Sequence, residues 1–330
     1  MKRLDFAVAA ILVLCGTSII LTKISIVRAD ETFAVYIRAD GSVDPPTAPI
    51  QRIGDTYTMT DNITSTASGI QIEKDSVTVD GAGYALQGTG KPIWNSSGGT
   101  LSNYHLGVTL NQRTNVTIRN IRISEFAVGI SLNQSISSGI DGKNIVGSNY
   151  VGIGLYWSNY SIVSGCNMTN NEISVVLEYS INNTISGNNI DHRGFDFEVS
   201  NNNTVTGNSI SDCEGTCIFF FSSIDNRIYD NIFVNDTEMA SVTGGSSGNM
   251  WDNGSRGNYY SDYLARYPNA TEIGSSGIWN TPYSVRYGDI DHYPLVVPEF
   301  PSFLILLLFM MATLLAVIIY RKKGVKTRQS

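Results

Sequence analysis

Short runs of the form Gly-x-apolar recur along the middle of the chain: GVTL at Gly107–Leu110, GISL at Gly129–Leu132, GIGL at Gly152–Leu155, SVVL at Ser174–Leu177, GFDF at Gly194–Phe197 and TCIF at Thr216–Phe219. The steps between them are 22, 23, 22, 20 and 22 residues. An earlier copy, GIQI at Gly69–Ile72, joins the series if residues 84–104 form an inserted loop. Two further apolar positions repeat within each unit: Ile118, Ile145, Ile162, Ile185, Val205 and Ile228, then Ile123, Tyr150, Met168, Ile190, Ile210 and Phe233. Each repeat therefore predicts three short strands.

Between these strands stand Asn, Gly, Ser and Asp, as in NTISGNNI (Asn183–Ile190), NTVTGNSI (Asn203–Ile210) and NRIYDNIF (Asn226–Phe233). Such residues enter positive φ at low cost and turn the chain. A unit with one apolar side chain per short strand cannot bury it alone. Coils stacked at about 4.8 Å place Ile over Ile and build one continuous core. The prediction is an all-β parallel β-helix of about 22 residues per coil. A leucine-rich repeat fits the spacing, but its Leu-rich consensus and helical return are not in this sequence.

The two ends read differently. Lys2 and Arg3 precede an apolar run from Phe6 to Leu21, and Val27-Arg28-Ala29 offers a cleavage site before Asp30, the pattern of a secretory signal. Phe303–Tyr320 is an uncharged run of 18 residues followed by Arg321, Lys322, Lys323, Lys326 and Arg328. That predicts a single transmembrane helix with a basic cytoplasmic tail. The expected organisation is a signal peptide at 1–29, the β-helix at 30–243, its C-terminal cap at 244–297, the membrane anchor at 298–320 and the tail at 321–330. The protein would then sit at the cell surface, with its N-terminal domain outside.

Residues 31–298 hold 13 Lys and Arg against 26 Asp and Glu, a net charge of −13. That surface repels nucleic acid and anionic lipid, which need basic partners. Four cysteines, one of them Cys15 inside the signal, cannot form a disulfide framework for a domain of this size. Strand parity puts Cys217 at the inward site of Ile153, Val175 and Phe195, and Cys166 at the turn site of Asn188, Asn208 and Asn231, both as small core fillers. A local bridge from Cys213 to Cys217 is the alternative.

Three stretches resemble one family: VYIRADGSVDPPTAPIQRIGDTYTMTDNI near the start, VTVDGAGYALQG at Val77–Gly88, and NMWDNGSRGNYYSDY at Asn249–Tyr263 with DHYPL at Asp291–Leu295. Over residues 33–297 the chain resembles the right-handed β-helix proteins of the NosD and carbohydrate-binding, sugar-hydrolysis (CASH) type, common at archaeal surfaces. The resemblance implies a C-terminal cap plugged by Trp251, Tyr259, Tyr260 and Tyr263. Related caps often carry an acidic loop suited to calcium, whereas Arg266–Tyr283 here has one carboxylate. The NosD resemblance also implies copper delivery, but His105, His192 and His292 show no metal-ligand spacing with Met or Cys, and no metal ligands are assigned. VPEFP at Val297–Pro301 resembles archaeal sorting tails.

On a β-helix, residues two apart and one coil apart meet on the outer face of a strand. The third repeat position reads Thr109, Ser131, Gly154, Val176, Asp196, Ile218, and the fifth reads Asn111, Asn133, Tyr156, Glu178, Glu198, Phe220. Glu178 and Glu198 become neighbours at about 4.8 Å, with Asp196 on the same face roughly 6.7 Å along the strand. Such a trio suits Ca2+, or acid and base roles at a glycosidic bond. Tyr156 and Phe220 flank it as surfaces for a sugar ring, and His192 and Arg193 lie on the preceding turn. A solvated acidic face is the competing reading. Polygalacturonase motifs are missing from the sequence, and Arg193 is the one nearby candidate for a lyase base.

N-x-S/T sequons begin at Asn62, Asn95, Asn115, Asn133, Asn159, Asn167, Asn182, Asn202, Asn235, Asn253 and Asn269, each a glycan acceptor or a strand-entry turn residue. Trp94 in the inserted loop is a further ligand-binding candidate. Three functions follow: a membrane-anchored surface protein that binds polysaccharide or serves adhesion, a polysaccharide lyase or glycoside hydrolase using Glu178, Asp196 and Glu198, or a NosD-like copper accessory. The first needs no catalytic residue.

Overall fold

The computed structural model describes residues 33–296 except 91, 92, 96–99, 103, 143, 148, 214, 237 and 287, and leaves out the side chains of 93–95, 100–102 and 145. The expected signal peptide, membrane span and tail lie outside these residues. Among the described residues no helix is long and apolar enough to cross a membrane.

Three parallel sheets run the length of a β-solenoid. Among the described residues, the first has ten strands, from Phe33–Ile37 through Val151–Tyr156, Ile173–Glu178 and Phe195–Glu198 to Glu238–Thr243, with Val43–Asp44 antiparallel at its edge. The second and third have nine strands each. Each coil from Ser68–Ile72 to Thr216–Phe221 contributes one strand to each sheet, and successive coils pair in register, as Ile130↔Ile153, Ile153↔Val175, Val175↔Phe195 and Phe195↔Ile218. Those steps are 23, 22, 20 and 23 residues.

The corners explain the polar composition. At the first corner Gln112, Gln134, Trp157, Tyr179, Val199 and Ser222 all have φ between 48° and 58°, the left-handed region that turns a strand sharply. Glu125, Asn170, His192, Asp212 and Asn235 hold the equivalent place at the third. His192 is thus a corner residue.

Inside, like side chains stack coil upon coil. Val79, Ile118, Ile140, Val163, Ile185, Val205 and Ile228 line the second sheet, and Leu86, Ile123, Val146, Met168, Ile190, Ile210 and Phe233 the third, all buried. Each adds about 1.5–3 kcal/mol of burial. These columns correct three sequence assignments: Ile140, Val163 and Val146 stand where Ile145, Ile162 and Tyr150 were expected, and Ile162 is half exposed. Where two apolar residues are adjacent, as in Ile162-Val163, period alone does not choose between them.

Polar ladders bind the coils together at their corners. Cys166 N donates to Asn188 Oδ1 (2.9 Å), and the pattern continues from Asn188 to Asn208 (3.0 Å), Asn208 to Asn231 (3.0 Å) and Asn231 to Asn258 (3.1 Å). Cys166 therefore does share the buried turn site of these asparagines. A second ladder runs through Asn183, Asn203, Asn226 and Asn249. Each buried amide satisfies backbone groups that the corner removes from the sheets.

Two more expectations change. The insertion begins after Gly88, since Ala85–Gln87 is a regular third-sheet strand, and contains an antiparallel hairpin of Ile93–Asn95 with Thr100–Ser102. Cys213 and Cys217 form the local disulfide, and Cys217 aligns with Gly194 rather than with Phe195. At the C-terminal end the Tyr260 ring stacks on Phe233 (5.6 Å) and on Tyr283 (3.6 Å), with Trp251 and Tyr263 buried beside them. Tyr259 is only half buried, so Tyr283 takes its expected place in the plug.

Candidate functional site

The first sheet places Glu178 directly opposite Glu198, and Tyr156 opposite Glu178 on the other side. Asp196, two residues before Glu198, shares its face and pairs with Val176. The three acids are 2%, 0% and 7% exposed in the order Glu178, Asp196, Glu198, so the solvated acidic face is excluded. The outer side of this sheet carries its own apolar cluster, in which Val128, Val151, Tyr156, Ile173 and Val176 are buried. Tyr156 lies at the heart of it, its ring across Gly154.

Burial without partners dominates the electrostatics. Glu178 Oε2, Glu198 Oε1 and both oxygens of Asp196 are buried and accept no hydrogen bond. Arg193 Nη2 approaches Asp196 Oδ1 to 2.9 Å as an ion pair. Burial pushes Glu178 up to about 8, helped by the charge of Glu198. Glu198 is pushed up to about 7 by burial and by Asp196, with Arg193 opposing. Asp196 rises to about 6 through burial, held back by Arg193. Burial thus favours the protonated form of all three carboxyls, and Arg193 favours ionisation of Asp196, an asymmetry of the kind that acid and base roles use.

The aromatic flank differs from expectation on one side. The coil from Phe195 to Ile218 is 23 residues long, which shifts the register by one and turns Phe220 inward. Phe220 stacks on Phe197 in the core at 5.0 Å and cannot face a ligand. Phe219 and Phe221 stand beside Asp196 and Glu198 instead, with Arg193 over the Phe219 ring at 5.8 Å. His192 pairs with Asp191, its Nδ1 3.1 Å from Asp191 Oδ1. The side chain of Trp94 lies outside the described residues. Trp157 and Tyr179, stacked at 5.0 Å on the corner just past Tyr156 and Glu178, were not singled out by the repeat, because it assigns corners to small polar residues.

The three carboxylates do not form a cation cage. Among the described residues the one group of His, Cys, Asp or Glu whose donor atoms all lie within 4.8 Å is Cys213, Cys217 and Asp236. In that group the two sulfurs are bonded to each other. None of the three histidines belongs to such a group.

The sequon asparagines separate from the ladders. Asn62, Asn115, Asn182, Asn202, Asn235, Asn253 and Asn269 are exposed, and Asn133, Asn159 and Asn167 are half buried; the side chain of Asn95 lies outside the described residues. The fully buried Asn183 and Asn203 follow immediately after exposed Asn182 and Asn202.

The family model described as periplasmic copper-binding protein (NosD) matches residues 68–265, more than half of the chain. The chain belongs to the NosD family. No curated protein matches it. Among solved structures, this NosD-family chain is similar to a DFA-IIIase mutant from Arthrobacter chlorophenolicus A6 in complex with DFA-III, at 14% identity and TM-score 0.43, covering 61% of this chain and 55% of that one. It is similar to the enzymatically active domain of bacteriophage CBA120 tailspike protein 2, at 13% identity and TM-score 0.44, covering 58% and 34%. It is also similar to PfbA, a surface adhesin of Streptococcus pneumoniae, at 14% identity and TM-score 0.42, covering 61% and 59%. The NosD-family chain spans between a third and three fifths of these structures.

Proposed function

We propose that the protein is a carbohydrate-binding β-solenoid, held at the cell surface by the apolar span at Phe303–Tyr320 with the basic tail in the cytoplasm. The observation that carries the glycan reading is the pair of buried carboxylate oxygens, Glu178 Oε2 and Glu198 Oε1, that accept no hydrogen bond, beside Asp196, whose charge Arg193 balances. Leaving such acceptors unsatisfied is costly, and a ligand rich in hydroxyl donors removes that cost. Phe219 and Phe221, half-buried on the same face, give apolar surface for the ring faces of sugars, and Tyr156 packs behind them in the outer cluster.

A glycan array probed with the purified chain, with calcium and with chelator, tests this reading, followed by product analysis of whatever binds. Binding that weakens in Glu198→Gln and Asp196→Asn is expected. Silence on every glycan would leave a structural envelope role.

The second reading, a polysaccharide lyase or glycoside hydrolase, is favoured by the separated acidities of Glu178, near 8, and Asp196, near 6. Glu178 would donate to the glycosidic oxygen while an ionised neighbour acts as base or nucleophile. Cleavage lost in Glu198→Gln would promote the cluster to an active site. The copper accessory reading rests on the family description alone.

A further inference from the structure

Where the third sheet passes the chain to the first, Cys213 and Cys217 are joined across a tight loop that includes Gly215 at φ +92°. Asp236 holds the matching corner one coil on. Its Oδ1 accepts from Cys213 N at 3.0 Å, and its Oδ2 is buried with no hydrogen-bond partner. The Sγ atoms and a carboxylate oxygen lie within 4.8 Å of one another.

Bonded sulfurs cannot ligate a metal ion. A dithiol reductant changes that: it supplies two electrons and two protons, the Sγ–Sγ bond breaks to two thiols, and the reductant closes to its own disulfide. We propose that reduced Cys213 and Cys217, together with Asp236, form a site for a zinc-class divalent ion, opened and closed by the redox state of the two sulfurs. Binding releases one proton from each thiol, and the ion takes two thiolates and one carboxylate, with water completing a tetrahedron. The ion also satisfies the Asp236 oxygen that no protein group satisfies. The remaining described thiol, Cys166, does not compete, since burial in the asparagine ladder pushes it up to about 12. Cys217 shares the strand of Phe219 and Phe221, but the metal and redox readouts of this site do not depend on glycan binding.

Co2+ is a spectroscopic probe for such a site, because thiolate ligation gives a charge-transfer band that oxygen ligands do not. The full chain, reduced with a dithiol and freed of it anaerobically, should bind one equivalent of Co2+ with that band, and Zn2+ should displace it. The oxidised chain should show no band. Cys217→Ser should lose it. Asp236→Asn keeps both thiols and guards against a misfolded cysteine variant; its affinity should fall by at least the roughly tenfold that even an indirect partner of a metal ligand contributes. A reduced chain without the band, a band that survives in Cys217→Ser, or unchanged affinity in Asp236→Asn would overturn the proposal.

Discussion

The ring of Tyr156 lies over Gly154, so that a Cβ at 154 would stand 2.5 Å from the ring edge and 2.6 Å from the hydroxyl. Two residues apart on one strand, they share the outer face of the sheet, and the glycine leaves the space that the phenol fills. Gly154→Ala must therefore expel the ring from the apolar cluster around Val176. The expected cost is about 1–3 kcal/mol, the range for overpacking. Calorimetry measures it, and glycan binding should weaken in parallel because the wall beside Glu178 is lost. An unchanged melting temperature would mean that the ring rests elsewhere in solution.

Glu178 makes stability depend on pH in a definite direction. Its folded value near 8 lies above the ordinary carboxyl range, so the folded state holds more protons than the unfolded one across the interval between. The stabilisation is complete below the unfolded value and is lost as pH rises through about 8. Glu178→Gln is neutral at every pH. It should flatten the decline between pH 5 and pH 8 and raise stability at the alkaline end by on the order of 1–3 kcal/mol. Urea denaturation at the two pH values is the check, and parallel curves for both proteins would sink the idea.

The cap hangs on one carboxylate. Asp291 is fully buried, and its Oδ2 accepts from Asn258 N at 2.6 Å and from the Tyr260 hydroxyl at 3.1 Å, while Oδ1 accepts from Tyr293 N at 2.9 Å. It closes the asparagine ladder at the point where no further coil supplies an amide oxygen. Asp291→Ala strands these donors, at about 1–3 kcal/mol each. Hydrogen exchange should rise first at Asn258 and in the aromatic plug, ahead of the middle coils. Uniform exchange across the chain would show that the end is not a separate unit of stability.

The period and the pairing of coils were legible because GISL, GIGL, SVVL and GFDF each present one clear inward pair. TCIFFF does not: with Cys, Ile and three Phe in a row, either register turns apolar side chains inward. A slip of one residue then exchanges the faces, and so Phe220 was read as a ligand surface. Glu178 and Glu198 were placed on one face for the converse reason, since Leu177 and Phe197 fix their parity. Their burial was hidden, because outward parity suggests water and nothing local marks the outer face as having an apolar cluster of its own. The ladders were hidden likewise: Asn188 and Asn208 read as turn formers, and only stacking shows that their amides join coils.

Cys166 interrupts a run of asparagines, and that interruption predicts a gain. In the coils beyond it, Asn188, Asn208 and Asn231 each donate Nδ2 to a carbonyl one coil back, at 3.1, 3.0 and 2.9 Å. The Cys166 thiol reaches the equivalent carbonyl of Ile140 only at 3.8 Å, as a weak donor. An amide at 166 would replace this contact with a full hydrogen bond to Ile140 and offer an oxygen towards Asn144, which now meets sulfur at 3.8 Å. The side chain is larger, but the same corner holds Asn in the neighbouring coils without strain, so overpacking is small. Cys166→Asn should therefore stabilise the protein by about 1 kcal/mol, the net worth of one buried hydrogen bond. Denaturant titration reads this as a higher midpoint at unchanged slope. A lower midpoint would mean that the coil around Cys166 has set its width to the thiol.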